Sequence, residues 1–537
     1  MKTKIFFLGI LLIAFFLRFI NLDNVPPSLN WDEVSIGYNA YSILKTGTDE
    51  WGKFMPLNFR AFGDYKLPLY IYADIPFIAL FGLNAVGVRL LSVLSGLGVV
   101  ILSYLILKNL TKNNTIALIG MFTAATLPWL IILSRIGLEA NFALFLVTLF
   151  VYLFLRGVEE KRFLVWSGIP LGLSLFTYNS SRVTTPFLIF AAVILFWNKL
   201  KSHKRESILA AVVLIFFVSV VIPLALFSDS SARFQWTTIL DEGAILSINQ
   251  ERGLSSLPAA FKPLVYNKVT YFIVTSAQNY LSYYNPDFLF INGGSNFQFS
   301  VPGTGLLFWA LIPFFLIGIF YVLSKRKDCQ LFILAWLFIA PIPGSITRDA
   351  PHALRSLFII PPIIIISSLG IVFLGNKLKQ TLFKIVILIF LLLMVFQTYL
   401  FWVNYNGSYR QEFSWSWQYG YKQAMEYIQV NYSNYSKIVI TKSYGEPHEF
   451  LLFYLKYDSY KYQHDLSLVR YERSQWFWVD RFDKFEFIND WEIKDRMKNA
   501  HNTLLVTSPG NYPPGSAIVQ TIDFLDGKRA FDIVDIE

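Results

Sequence analysis

The chain has 537 residues, of which 55% are apolar and 15% charged, with a formal net charge of +10 and a mean hydropathy of +0.47. Long apolar stretches at so low a charge density exclude one large water-soluble core and point to membrane spans. A single cysteine, Cys329, excludes an internal disulfide framework, and five scattered histidines offer no pair at ligand spacing, so neither a metal centre nor a cofactor is expected.

The N-terminus reads Met1-Lys2-Thr3-Lys4, then an apolar run from Ile5 to Leu17 closed by Arg18. A signal peptide shares this layout, but no small-x-small cleavage site follows, so a retained first span is expected. Ten further spans are expected near 86–107, 115–133, 138–155, 163–177, 184–197, 208–227, 306–323, 331–347, 356–374 and 383–404. Lys2/Lys4, Lys108/Lys112, Arg156/Lys161/Arg162, Lys199/Lys201/Lys204/Arg205, Lys325/Arg326/Lys327 and Lys377/Lys379/Lys384 all fall in alternate loops. The positive-inside rule places those loops and the N-terminus in the cytoplasm, which makes the net charge a topological signal rather than a sign of nucleic-acid binding. Loops 21–85 and 228–305 and the tail from about 405 then face outward. This predicts a polytopic α-helical membrane protein with about eleven spans: a membrane domain over 1–404 and a small extracytoplasmic α/β domain over 405–537.

The first external loop opens with Asn30-Trp31-Asp32-Glu33, and the spacing of Val34, Gly37/Tyr38, Tyr41 and Leu44 predicts an amphipathic helix along the membrane surface from Glu33 to Lys45. An acidic pair beside the bilayer supplies a candidate base; the structural alternative is helix capping, with Asp32 as the N-cap and Glu33 in the first turn. Asp64-Tyr65-Lys66-Leu67-Pro68 at the far end of the loop offers a cation for a phosphate, or a snorkelling surface lysine. At other external borders stand Arg135 and Glu139, Arg182, and the group Arg348/Asp349/His352/Arg355. Such charges either bind an anionic lipid or anchor the spans, with Arg135 and Glu139 also placed for an i,i+4 pair. In the tail, strands are expected at 437–441 and 503–507 and helices near 418–431 and 447–456; the tail shows no phosphate loop, dinucleotide fingerprint or Ser/His/Asp arrangement.

Taken together, these features resemble the GT-C superfamily of polyprenyl-phosphate-sugar-dependent glycosyltransferases, above all bacterial members of the protein mannosyltransferase and aminoarabinose transferase group. The resemblance rests on one span followed by a large external loop opening with Asp32-Glu33. Lys66-Leu67-Pro68 is similar to that group's Lys-Pro-Pro segment, with Leu67 departing from it. Tyr178 to Pro186, Asn279 to Phe290 and Pro351 to Ser356 also resemble stretches that recur in bacterial members. The resemblance implies an inverting transferase in the plasma membrane that takes a sugar from a polyprenyl-phosphate donor to a lipid, glycan or protein acceptor. Asp32 would be the base, Glu33 its support, and Lys66, Arg182 and Arg355 the holders of the donor phosphate, with Arg135, Glu139 and His352 as further substrate-binding candidates. Oligosaccharyltransferase relatives hold a metal through an acidic motif in the second external loop. Here that loop is Ser134-Arg135-Ile136-Gly137 before Glu139, without Asp-x-Asp, which implies metal-independent chemistry. The extra domain of eukaryotic protein mannosyltransferases has no counterpart. A transporter, flippase or polymerase for lipid-linked saccharides is the alternative; it predicts polar, broken spans in repeated halves, whereas the polar residues here crowd one face.

Overall fold

The computed structural model describes residues 2–227, 238–473 and 476–537, so residues 228–237 of the second expected loop lie outside the described residues. The chain divides into two compact units. One comprises Met1–Arg18, Leu94–Ser134 and Glu139–Phe401; the other comprises Phe19–Val93, Arg135–Leu138 and Trp402–Glu537. Composition alone places the division at 404/405, whereas these units group the loop 21–85 with the C-terminal segment.

Every expected span falls on helix. In chain order the first ten helices are α1 (Lys2–Phe19), α2 (Trp31–Thr46), α3 (Pro68–Phe81), α4 (Ala85–Thr111), α5 (Asn114–Thr126), α6 (Pro128–Ser134), α7 (Glu139–Glu159), α8 (Arg162–Ser174), α9 (Asn179–Ser202) and α10 (Lys204–Phe227). Ile312–Lys325, Asp328–Ile339, Ile360–Lys377 and Gln380–Asn406 complete the expected set. Among the described residues seven helices are long and apolar enough to cross a bilayer, or eight if α5 and α6, bent by 58° to one another, count as one span. The bend has a cause in sequence. Pro128 has no N–H for the Ala124 carbonyl, and the Trp129 N–H turns away to the Leu306 carbonyl at 3.2 Å. Arg18 fills the gap, donating from Nη2 to Ala124 O at 3.1 Å and from Nη1 to Ala125 O at 2.9 Å, while fully buried. The charge that closes the first span thus satisfies carbonyls freed by a proline more than a hundred residues away.

In the second unit, the hairpin β1 (Phe59–Ala61) and β2 (Asp64–Lys66) pairs Phe59 with Lys66. The C-terminal segment builds a seven-stranded sheet from β3 (Lys437–Thr441), β4 (Val469–Arg473), β5 (Trp476–Phe482), β6 (Phe485–Ile488), β7 (Thr503–Thr507), β8 (Ala517–Asp523) and β9 (Arg529–Ile536), in the order β4-β5-β6-β3-β7-β9-β8. β3 lies at the centre and runs parallel to β6 and β7; the remaining pairs are antiparallel. Both strands expected from the sequence are therefore neighbours, and Val439 and Leu505 share a core with Ile493, Met497 and Val534.

Helix α2 differs from its expectation. It does not present one face to a membrane surface: residues from Glu33 to Ile43 are almost all buried, packed against α3 and against the helix Pro447–Tyr454 of the same unit. Its polar positions are not a solvated stripe because they are bonded internally. Asn39 accepts from the Glu50 N–H at 3.1 Å, and Ser42 donates to Thr48 O at 2.8 Å and accepts from Gln463 at 3.2 Å. Gly37 is required by close packing, since a Cβ there would meet Val88 at 2.6 Å and Phe453 at 2.7 Å.

Candidate active site

The four residues that open the first loop divide into structural and available groups. Asn30, not Asp32, is the N-cap of α2: its side chain accepts from the Glu33 N–H at 2.9 Å, and Glu33 returns the bond to the Asn30 N–H at 3.2 Å. This capping box satisfies two N–H groups that a helix start leaves open. Glu33 is also fully buried against Arg89, with Nε to Oε1 at 2.7 Å and Nη2 to Oε2 at 3.0 Å, and it accepts the Gly137 N–H at 2.8 Å. Arg89 spends its remaining donors on the carbonyls of Leu22, Pro26 and Ser28 at 2.8, 3.3 and 2.6 Å. One buried ion pair therefore fixes the start of α2, the chain leading into it and the Arg135–Leu138 link.

Asp32, between these anchors, is the available group. It forms a short ion pair with Lys66 through Oδ1, and its side chain is 29% exposed against 6% for Lys66. The sequence reason is local: the β1–β2 hairpin ends on Lys66, and Leu67-Pro68 at once starts α3 with proline at a position where no N–H is needed. Lys66 also lies over the Phe62 ring at 5.4 Å. A buried ammonium so placed orients the carboxylate and leaves Asp32 Oδ2 outside the contact.

Arg135 is fully buried and donates to Val25 O from Nε and Nη2 at 3.1 and 2.7 Å, and to Ile20 O at 2.8 Å. Its guanidinium also lies 5.4 Å from the Trp402 ring. The i,i+4 relation to Glu139 does not fall within a helix, because α7 begins only at Glu139.

The membrane unit gathers a second group from three separate stretches, each of which the sequence singles out. Tyr178 Oη donates to Leu354 O at 3.4 Å, Tyr283 Oη accepts from the His352 N–H at 3.3 Å, and Trp129 Nε1 donates to Ala353 O at 3.2 Å. Asn279 Nδ2 donates to Ser345 O and Thr347 O at 3.1 and 3.2 Å. These bonds clamp the loop that carries Arg355. Arg355, 19% exposed, donates to Thr347 Oγ1 at 2.9 Å and lies 3.8 Å from Asp349. His352 faces Phe299 with ring centroids 5.6 Å apart. Arg182 donates from Nε to Leu175 O at 3.0 Å, where α8 has just ended, and its Nη2 is buried without a partner among the described residues. A buried guanidinium nitrogen with nothing to donate to is a costly arrangement that an anion relieves. Glu139 is buried at the first turn of α7, where a carboxylate complements the positive helix end.

Sequence reasoning missed Arg89. The available signal is an arginine one turn inside the apolar run 86–107, since an ionisable group within a span demands a partner. It also missed the roles of Trp129 and Tyr283 as clamps.

Residues 9–235 match the family model described as "Dolichyl-phosphate-mannose-protein mannosyltransferase". A sequence search of curated proteins finds no match. Among solved structures, the chain is similar to ArnT from Cupriavidus metallidurans bound to undecaprenyl phosphate, at 12% identity and a TM-score of 0.56, over 99% of this chain and 97% of that one. It is also similar to the Archaeoglobus fulgidus oligosaccharyltransferase tethered with an acceptor peptide, at 14% identity and a TM-score of 0.53, over 84% of this chain and 63% of that one. The archaeal AglB in complex with an inhibitory peptide and a dolichol-phosphate matches at 12% identity and a TM-score of 0.50. The chain thus spans about two thirds, 63%, of the length of the archaeal enzymes it matches. This is a multi-pass membrane protein of the GT-C type with a sheet-rich C-terminal domain. The family match covers residues 9–235, less than half of the chain, and the likeness to the solved structures is one of fold, the GT-C type.

Proposed function

We propose that the chain is an inverting glycosyltransferase that moves a sugar from a polyprenyl-phosphate donor to an acceptor hydroxyl at the external face of the plasma membrane, with the N-terminus cytoplasmic. The observation that carries this reading is the contrast within one four-residue motif. Asn30 and Glu33 are consumed by the fold, while Asp32 is 29% exposed and, among the described residues, has Oδ2 outside its ion pair with an orienting lysine. That is the arrangement a general base needs: fixed in direction, reachable, and not buried in its own salt bridge.

In the proposed step Asp32 takes the proton of the acceptor hydroxyl as its oxygen attacks the anomeric carbon. The new C–O bond forms as the sugar–phosphate C–O bond breaks, and its electron pair leaves on the polyprenyl phosphate. Arg182 on α9, and Arg355 with His352 on the clamped loop, are assigned to that phosphate, whose charge grows as the bond breaks. A single displacement inverts the anomeric carbon. Lys66 orients Asp32, Glu33 supports the helix start, and Arg135 is assigned to the scaffold through its bonds to Ile20 and Val25. The reading invokes no metal, and Glu139 serves α7.

The test is a donor panel. The full chain in lipid nanodiscs is incubated with polyprenyl-phosphate sugars and with nucleotide sugars, and product configuration is read by NMR. Consumption of a lipid-linked sugar with inversion supports the proposal. Use of a nucleotide sugar, or retention of configuration, contradicts it.

A further inference from the structure

Next to Asp32 the second unit carries a run of aromatic rings of which the chemistry above uses only Phe62, under Lys66. Trp31 lies 5.7 Å from Phe62, Phe62 lies 6.0 Å from Trp476, and Trp476 lies 6.0 Å from Trp478, centroid to centroid. The run is built rather than incidental. Trp476 sits on the hairpin turn at Gly63, where a Cβ would approach its ring to 2.5 Å, and Trp31 sits on Gly445 in the same way at 2.4 Å. Gly445 has φ +111°, which only glycine adopts readily. Trp476 Nε1 is fixed to Glu446 Oε1 at 2.6 Å. Alternation along β5 turns Trp476, Trp478 and Asp480 to one partly exposed face and buries Phe477 and Val479 behind them.

The chemistry of this face is specific. Among the described residues, neither Trp31 Nε1 nor Trp478 Nε1 has an acceptor, so two indole donors are unspent on a surface that is otherwise apolar. At its far end Lys442 lies 4.9 Å from the Trp478 ring and pairs with Asp480. Flat apolar planes with hydrogen-bonding groups at their rims suit a ring that is apolar on its faces and polar at its edge. A lipid tail leaves the donors and the ion pair unused, and the cations a phosphate meets here, Lys442 and Lys66, are already paired with Asp480 and Asp32.

We propose that this strip docks a saccharide acceptor, its pyranose rings lying on the partly exposed Trp476 and Trp478, with buried Phe62 supporting them, and its terminal hydroxyl directed to Asp32. The inference rests on the transferase reading for its direction along the strip, but its test does not. The full chain in detergent micelles is titrated calorimetrically, without donor, with linear hexamers of glucose, mannose and N-acetylglucosamine, with an unstructured hexapeptide, and with anionic phospholipid vesicles. At least one hexamer is expected to bind saturably, about tenfold more weakly in Trp478→Ala, with an unchanged melting temperature. Trp31→Phe, which keeps the ring and removes the donor, gives a smaller loss. Binding of no hexamer, equal binding by Trp478→Ala, or saturable binding of only the peptide or the vesicles overturns the platform. Turnover of a lipid-linked sugar by a chain that binds no hexamer removes this inference and leaves the transferase reading standing.

Discussion

Glu33 and Arg89 meet in a two-pronged ion pair with both side chains wholly excluded from solvent. The pair is stabilising only as a complete set, because each member loses its hydration and recovers it from the other and from backbone groups of Leu22, Ser28, Asn30 and Gly137. Arg89→Met leaves a buried carboxylate with two of its four donors gone. The expected result is destabilisation of about 3–5 kcal/mol, seen as a lower melting temperature and poor recovery in detergent. Arg89→Lys fails nearly as badly, since an ammonium cannot make both prongs and also reach three carbonyls.

Glu50 and Glu449 predict a pH dependence. Both are buried in the second unit; Glu50 Oε1 accepts from Trp51 Nε1 at 3.0 Å, while Oε2 of each carboxyl is buried without a partner among the described residues. Burial is the main cause that pushes Glu50 up to about 8, with Asp49 adding to it and Arg470 opposing. Burial likewise raises Glu449, with Glu50 and Glu446 reinforcing it and Lys66 opposing. A carboxyl raised on folding holds its proton in the native state, so its stabilisation is complete below the unfolded value near 4.5 and is lost as pH rises through about 8. The melting temperature should therefore fall between these limits, and Glu50→Gln, which keeps a hydrogen-bond donor at every pH, should flatten the fall. A variant with the same pH profile as the natural chain contradicts the assignment of this fall to Glu50.

The donor-binding assignments separate by variant. Arg182→Ala and Arg355→Ala should each weaken binding of a polyprenyl phosphate by roughly 10- to 100-fold, the range of one charged hydrogen bond. Arg135→Ala should lower thermal stability instead, because its donors already serve Ile20 and Val25. Donor affinity unchanged in Arg355→Ala removes Arg355 from the phosphate.

Metal independence is tested by a chelator. Turnover should persist in excess EDTA, and Glu139→Gln should retain it, with a modest loss of stability from the α7 start. Loss of turnover restored by one divalent ion makes Glu139 a ligand candidate.

The spans were legible because apolar runs of this length report themselves, and so were Lys437–Thr441 and Thr503–Thr507, whose β-branched residues sit between turn signals. What the sequence hid depends on distant partners. α2 reads as half-solvated because Asn39 and Ser42 are polar, yet their partners lie in residues 48–50 and at Gln463. Glu33 and Arg89 are 56 positions apart, so the anchor cannot be seen in the motif that contains one half of it. Asp32 is the cap that the sequence offers, but the cap is Asn30, two positions earlier. The recurring stretches at 178–186, 279–290 and 351–356 were recognisable singly; that the first two clamp the loop bearing the third is a property of the fold.

The most direct test of the account is single-turnover transfer by Asp32→Asn, measured with a lipid-linked sugar that the natural chain consumes and alongside donor affinity and melting temperature. Asparagine keeps the shape and cannot take a proton. The account predicts donor affinity and stability close to those of the natural chain, with transfer slowed by about 10²–10⁴-fold. Transfer at near-natural rate would remove Asp32 from the base role and with it the central claim.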